Sequence, residues 1–139
     1  TRRVGCNRQE LQQVIINLLI NAIQAMPQGG VLKLVTEDWV PEGPHTVHAG
    51  GTLLRVEDSG HGLSDEAQER LFRPFFTTKN DGNGLGLWIS QGLVERYGGH
   101  IAAANRDDGV RGAVFTVSLF TEPQAPAATP TNDGRPGPA

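Results

Sequence analysis

Amide side chains follow one another along one side of a predicted helix near the start of the chain. Gln13, Asn17, Asn21 and Gln24 fall within about 80° of one another at 3.6 residues per turn. Asparagine is a mediocre helix former, so two of them four residues apart need a reason. One reason is a solvated helix face. The other is that the amide oxygens are neutral ligands for a hard cation such as Mg²⁺, which takes its remaining ligands from water and from substrate phosphates.

A carboxylate stands at the end of a predicted strand, in the segment VEDSGHGLS. Asp58 is followed by Gly60 and Gly62. A carboxylate in this place can accept a hydrogen bond from the amino group of a ligand, while the glycine backbone leaves room for a flat ring. An Asp-Ser-Gly turn that binds nothing explains the same residues, so both interpretations stay open.

The segment RLFRPFFTTKN combines two adjacent phenylalanines with groups that suit phosphate. Arg73 precedes the aromatic pair, and Thr77, Thr78 and Lys79 follow it. The cations and hydroxyls could meet phosphate oxygens. The phenylalanines are more typical of a small satellite core than of a ligand platform.

Glycines at every second position lead into an apolar helical pattern in GNGLGLWIS. Gly82, Gly84 and Gly86 let backbone N–H groups approach a ligand closely, and the next residues recur at helical spacing. A bare helix N-terminus after such a loop suits an anion, typically phosphate. A glycine-rich turn that only links two elements is the alternative.

Composition limits the architecture and the class of partner. With 139 residues, 37% of them hydrophobic, we expect one domain over residues 1–121 and a disordered Pro/Ala-rich tail over residues 122–139. The net charge of -3 argues against nucleic-acid binding, and the longest apolar run is too short for a membrane span. The single cysteine, Cys6, excludes an internal disulfide and favours a reducing compartment. We therefore expect a cytoplasmic domain.

The periodicity predicts alternating helices and strands. Asn7, followed by Glu10, resembles a capping box and begins a helix that runs to about Met26. The other predicted elements are antiparallel strands VLKLVTE and TLLRVED, a short helix over residues 64–71, a helix from about Leu85 to YGGH, and strands HIAAAN and GAVFTVSLF joined by the turn RDDG.

Four segments in order resemble a known set of motifs. NLLINAIQAM, DSGHGL, FRPFFTTK and GNGLGL are similar to the N box, first glycine box, F box and second glycine box of the ATP-binding catalytic domain of bacterial sensor histidine kinases. PFFTTK is shared with the nitrogen-regulatory and dicarboxylate-sensing kinases. The resemblance covers roughly residues 7 to 120. It implies an α/β (α+β) two-layer sandwich, with a mixed β-sheet and helices on one face, of the Bergerat type that gyrase, MutL proteins and ninety-kilodalton heat-shock chaperones share.

The resemblance also implies roles for single residues. Asn21 would ligate Mg²⁺, Asp58 would accept the exocyclic amino group of adenine, and Lys79 would lie on a mobile lid. Asn17, beside the triphosphate, and Lys79 are the expected catalytic residues. The implied ATP-binding residues are Asn17, Asn21, Asp58, Gly60, Gly62, Leu63, Thr78, Lys79, Gly82, Gly84, Leu85, Gly86 and Leu87. Asn83 and Gln24 depart from the family pattern, which has Thr or Ser and a basic residue there.

The implied activity is transfer of the γ-phosphoryl group of Mg-ATP to a histidine on a separate dimerisation domain. The four histidines of this chain do not resemble the phosphoacceptor motif. A homodimeric parent kinase and, indirectly, a response regulator are the implied partners, whether or not the parent is anchored in a membrane. Two alternatives stay open: a serine kinase of the anti-sigma type on the same fold, and a nucleotide-responsive interaction module.

Overall fold

The computed structural model describes residues 6–39, 50–76 and 85–120. Its elements in chain order are α1 (Arg8–Gln24), β1 (Leu32–Trp39), β2 (Gly51–Asp58), α2 (Asp65–Arg70), α3 (Gly86–Arg96), β3 (His100–Asn105) and β4 (Ala113–Phe120). Every predicted helix and strand is present, with small shifts at the ends. The predicted tail lies outside the described residues.

The strands form one sheet in the order β1-β2-β4-β3. All three pairings are antiparallel, whereas a mixed sheet was predicted. β2 and β3 run in the same direction and are connected through α2 and α3, an arrangement that usually gives a parallel pair. Here β4 lies between them and pairs with both, so the described part of the sheet has no parallel neighbours.

The core lies on one face of this sheet. Burial alternates along β2 and β4, as it does when one face of a strand is covered. The helices cover that face, which confirms the predicted two-layer sandwich. The largest side chains buried between the layers are Phe115, Leu18, Ile101, Val14, Val56 and Val117. Each contributes about 1.5–3 kcal/mol of transfer free energy.

The start of α1 is fixed by two sets of hydrogen bonds. The Asn7 side chain accepts from the backbone N–H groups of Gln9 at 2.9 Å and Glu10 at 3.1 Å, a cap worth about 1 kcal/mol. The Glu10 carboxylate accepts from Tyr97 Oη and, at 2.7 Å, from Arg96 Nη1. The Asn7 half of the predicted capping box is therefore present, whereas the Glu10 carboxylate joins the beginning of α1 to the end of α3.

The apolar face of α1 is narrower than its sequence suggests. Val14, Leu18 and Ala22 are buried, but Ile23 is 57% exposed. Ile23 lies about 140° around the helix axis from Leu18, so it points away from the sheet. Among the described residues, no helix is both long and apolar enough to cross a membrane.

Candidate functional site

Asp58 ends β2 with a buried carboxylate that is only partly hydrogen-bonded. Its side chain is 1% exposed. Oδ1 accepts from the N–H groups of Gly60 at 2.9 Å and Ala113 at 3.2 Å. Oδ2 is also buried and has no hydrogen-bond partner within the described part of the chain. An unpaired buried acceptor costs about 1–3 kcal/mol, so this oxygen is suited to a donor that a ligand supplies.

The residues after Asp58, 59–63, form a segment that we call the glycine loop. A Cβ atom at Gly60 would overlap the carbonyl oxygen of Ala25, the C-cap residue of α1. Gly62 has φ 79°, a left-handed conformation that favours glycine, and a Cβ there would lie 2.8 Å from Asn105 Oδ1. Both glycines are therefore required by the backbone that surrounds Asp58.

The glycine loop is tied to the end of β3 and to the connection between β3 and β4. Asn105 Oδ1 accepts from Leu63 N–H at 2.6 Å, and Asn105 Nδ2 donates to the Leu63 carbonyl at 2.9 Å. Arg111 Nε donates to the His61 carbonyl at 3.1 Å. These contacts hold the loop at two points along its length.

Arg106 supports Asp58 from the backbone side. Its Nη1 donates to the Asp58 carbonyl at 3.2 Å, and its Nη2 to Asp108 Oδ2 at 2.6 Å. The hydrogen bond from Arg106 lowers the pKa of Asp108, and the same bond raises the pKa of Arg106. Asn105, Arg106 and Arg111 were missed by sequence reasoning, because they lie more than 40 residues after the residues that they contact.

Asn17, within the predicted amide stripe of α1, contacts α3. Asn17 Nδ2 donates to the Gly86 carbonyl at 3.2 Å and to Ser90 Oγ at 3.1 Å, while its Oδ1 accepts from Gln13 Nε2 at 3.0 Å. Ser90 is fully buried, and its hydroxyl donates to the Gly86 carbonyl at 2.9 Å. At Asn17 the stripe is therefore more than a solvated face, whereas Gln13 and Gln24 are exposed. Ser90 is a further residue that the sequence did not indicate.

The start of α3 is suited to an anion. Leu85 is the N-cap residue and makes no side-chain capping bond. The first N–H groups of a helix have no partner within the helix, and the helix dipole favours negative charge there. Leu87 packs against the core, so its backbone rather than its side chain is available to a ligand.

α1 connects the Asp58 region with the start of α3. Asn17 contacts the start of α3, and Ala25 lies against Gly60 of the glycine loop. Half-buried Asn21 stands one turn after Asn17 on the same side. The rise from Asn17 to Ala25 is about 12 Å, which gives one elongated site with a carboxylate at one end and the N-terminus of α3 at the other.

Most of the predicted site residues are brought together along this line. Those that the structure places there are Asn17, Asn21, Asp58, Gly60, Gly62, Leu63, Leu85, Gly86 and Leu87. The others, Thr78, Lys79, Gly82 and Gly84, lie outside the described residues.

Cys6 lies at the far end of α1 from Asp58, one residue before the N-cap. It lines a small cavity with Leu11, Leu93 and Leu119. Burial, and then the charge of Glu10, raise the pKa of the thiol. A protonated thiol beside apolar side chains indicates a structural role for Cys6.

The sequence matches the family model described as "Histidine kinase-, DNA gyrase B-, and HSP90-like ATPase" over residues 6–123. The chain belongs to this family. Sensor histidine kinase ZraS of Salmonella typhimurium is 36% identical over 118 residues, which are 85% of this chain and 23% of ZraS. The C4-dicarboxylate transport sensor protein DctB of Rhizobium meliloti is 41% identical over 115 residues, 81% of this chain and 17% of DctB. The chain thus spans less than a quarter of either relative.

A solved structure gives the same result for this domain. The nucleotide-free catalytic domain of histidine kinase ThkA aligns with a TM-score of 0.67 and 35% identity, covering 85% of this chain and 70% of the ThkA chain. The fold class and the resemblance to sensor histidine kinase catalytic domains are therefore confirmed.

Proposed function

We propose that this ATPase domain binds Mg-ATP along α1 and donates the γ-phosphoryl group to a histidine on a separate dimerisation domain, in two-component signalling. The observation that supports the proposal is the buried Oδ2 of Asp58, which has no hydrogen-bond partner among the described residues, beside a loop that requires glycine at positions 60 and 62. The matching family is described as an ATPase, and ZraS is named a sensor histidine kinase.

Adenine suits the Asp58 end of the site. Its exocyclic amino group is a donor that satisfies Oδ2, which lacks a partner among the described groups. Guanine has a carbonyl oxygen at that ring position, so it would set an acceptor against the carboxylate. The atom is closed to solvent in this structure, so neighbouring groups must move before a base reaches it. We therefore propose that the site prefers ATP to GTP.

The phosphates are proposed to lie toward the start of α3. The backbone N–H groups of Gly86 and Leu87 would face them, and the amide oxygen of Asn21 is a suitable Mg²⁺ ligand. Bound Mg²⁺ supplies charge neutralisation for the phosphoryl group. Roles for Thr78, Lys79, Gly82 and Gly84 are proposed from the motif alone.

Asn17 is proposed to hold the start of α3 rather than to move a proton. Its amide already joins Gln13 to Gly86 and Ser90, and a neutral amide cannot act as a general base near pH 7. In the ATPase branches of the superfamily, a glutamate one turn before the metal-binding asparagine activates water. Water should therefore be a poor acceptor here, and an imidazole, already a nucleophile, a better one.

Slow hydrolysis tests this assignment. We expect phosphate release by the isolated domain to be far below the roughly 1–10³ s⁻¹ typical of enzymes, with Asn21→Ala as the blank that lacks metal binding. Rapid turnover that disappears in the blank would contradict the kinase proposal and favour the ATPase branch.

Phosphoryl transfer is tested with the cognate dimerisation domain and labelled ATP, with Asp58→Asn as the control that binds nucleotide poorly. An acid-labile phosphohistidine on the partner domain is the expected product. Acid-stable phosphoserine would favour the anti-sigma type of serine kinase. Nucleotide binding without transfer would favour the interaction module. A homodimeric parent, a response regulator downstream and a cytoplasmic position belong to the same proposal.

A further inference from the structure

Asn105 makes an unusual pair of hydrogen bonds. It is the last residue of β3, and its side-chain amide bonds to both backbone polar groups of Leu63, at 2.6 Å and 2.9 Å. The Asn105 side chain thus gives the Leu63 backbone the two hydrogen bonds that a neighbouring strand would otherwise provide. The main chain of Asn105 already pairs with Ala113 of β4, so it is the side chain of Asn105 that bonds to the loop.

The glycine loop needs such a support. It contains Gly60 and Gly62, whose freedom in the unfolded chain makes an ordered conformation costly. The Gly62 backbone packs against Asn105, and a Cβ atom at Gly62 would lie only 2.8 Å from Asn105 Oδ1. On the opposite side of the loop, Gly60 packs against Ala25 at the end of α1. Asn105 therefore determines where the far end of the loop stands relative to the Asp58 carboxylate.

We propose that Asn105 is a positioning residue for the nucleotide base: it holds the glycine loop at the width that a purine needs beside Asp58. This inference rests on the proposed nucleotide function. Asn105 acts on the base and not on the phosphates, because its hydrogen bonds end at Leu63, whereas the phosphate half is built from α1 and the start of α3. A change at Asn105 should weaken the binding of ATP but not the binding of a triphosphate chain that has no base.

The test compares Asn105→Ala, which removes both bonds, with Asn105→Asp, which keeps the acceptor for Leu63 N–H and loses the donor. Dissociation constants are measured by calorimetry for Mg-ATP and for Mg-tripolyphosphate, which has no base. Asp107→Ala, an exposed residue of the same connection, is the matched control. Thermal unfolding checks that each variant folds.

We expect Asn105→Ala to weaken Mg-ATP binding about tenfold, on the scale of one to two net hydrogen bonds. Asn105→Asp should weaken it as well, because a carboxylate oxygen then faces the Leu63 carbonyl, and tripolyphosphate should bind all variants alike. Equal losses for both ligands, or unchanged ATP affinity in Asn105→Ala, would overturn the positioning role. Absence of ATP binding in the unmodified domain would instead reject the proposed function itself, and this proposal with it.

Discussion

The two ends of the proposed nucleotide site are stabilised in different ways. At the Asp58 end, side chains and backbone from the β3–β4 region hold Asp58 and the glycine loop with at least four hydrogen bonds over 40 to 55 residues of sequence. At the other end, Asn17 and Ser90 join two helices, and the start of α3 has no side-chain cap. The base end is thus held by several long-range hydrogen bonds, whereas the phosphate end is formed by the start of α3, whose first N–H groups have no partner within the helix.

Adding a methyl group at Gly112 should have the largest effect. A Cβ atom there would overlap the Asp58 carbonyl, and φ is 147°. Overpacking and backbone strain each cost about 1–3 kcal/mol, so Gly112→Ala should lose about 3 kcal/mol of unfolding free energy in urea denaturation. Nucleotide affinity should fall as well, since Asp58 must shift.

Gly92→Ala is the matched control for that substitution. Gly92 lies inside α3, and among the described residues no atom beyond its chain neighbours and the adjacent backbone of α3 lies within 4 Å of the place that an added methyl group would take. Alanine should therefore stabilise the domain by about 0.5–1 kcal/mol. A Gly112→Ala domain as stable as the unmodified one would show that the base end is not rigid, and would remove the contrast between the two ends.

Asp58→Asn should affect binding most. Because Oδ1 accepts from Gly60 and Ala113, the amide of the variant should keep its oxygen there and turn its NH₂ group toward the base. A donor then faces the adenine amino group, and the loss of a charged hydrogen bond costs roughly 1.5–3 kcal/mol, or about 10- to 150-fold in affinity.

Calorimetry with Mg-ATP measures this effect, and Glu95→Gln, an exposed carboxylate on α3, is the control. Unchanged affinity in a folded Asp58→Asn domain would refute the assignment of Asp58 to the base.

Local sequence signals predicted the elements well. Asn7 and Ser64 are short polar residues before apolar periodic segments, and both cap their helices. The strand HIAAAN has its predicted ends. Such features depend on neighbours within a few residues, which one sequence contains.

Long-range features were not predictable in the same way. The insertion of β4 between β2 and β3 depends on which strands pair, and hydrophobic periodicity does not specify pairing. Asn105 and Ser90 act on residues 42 and 73 positions away, and nothing in their local sequence distinguishes them. Asp58 was found because a motif contains it, but the unpaired Oδ2 became visible only in the structure.

Ser90→Ala tests whether the phosphate end of the site acts independently of the base end. The hydroxyl accepts from Asn17 and donates to the Gly86 carbonyl inside a buried junction. Its loss should cost about 1 kcal/mol of stability. The preference for ATP over GTP should not change, because Asp58 lies at the opposite end of the site.

Binding of both nucleotides and of tripolyphosphate measures this separation, with Ser118→Ala on the outer face of β4 as the control. If Ser90→Ala altered the ATP to GTP ratio, the two ends would be coupled and the contrast would not hold.

The smallest effect is expected from the ion pair that supports the base end at the surface. The hydrogen bond from Arg106 lowers the pKa of Asp108 below its ordinary value of 3.8, so the pair contributes stability above that value. The contribution is lost as the pH falls through the lowered pKa of the folded state. The difference in unfolding free energy between the unmodified domain and Asp108→Asn should therefore be constant above about pH 5 and shrink in more acidic solution. Urea denaturation across this range measures it, with Asp107→Asn as the control. A difference that did not change with pH would mean that Arg106 holds the Asp58 carbonyl without help from Asp108, and that the base end depends on Asn105 and the backbone alone.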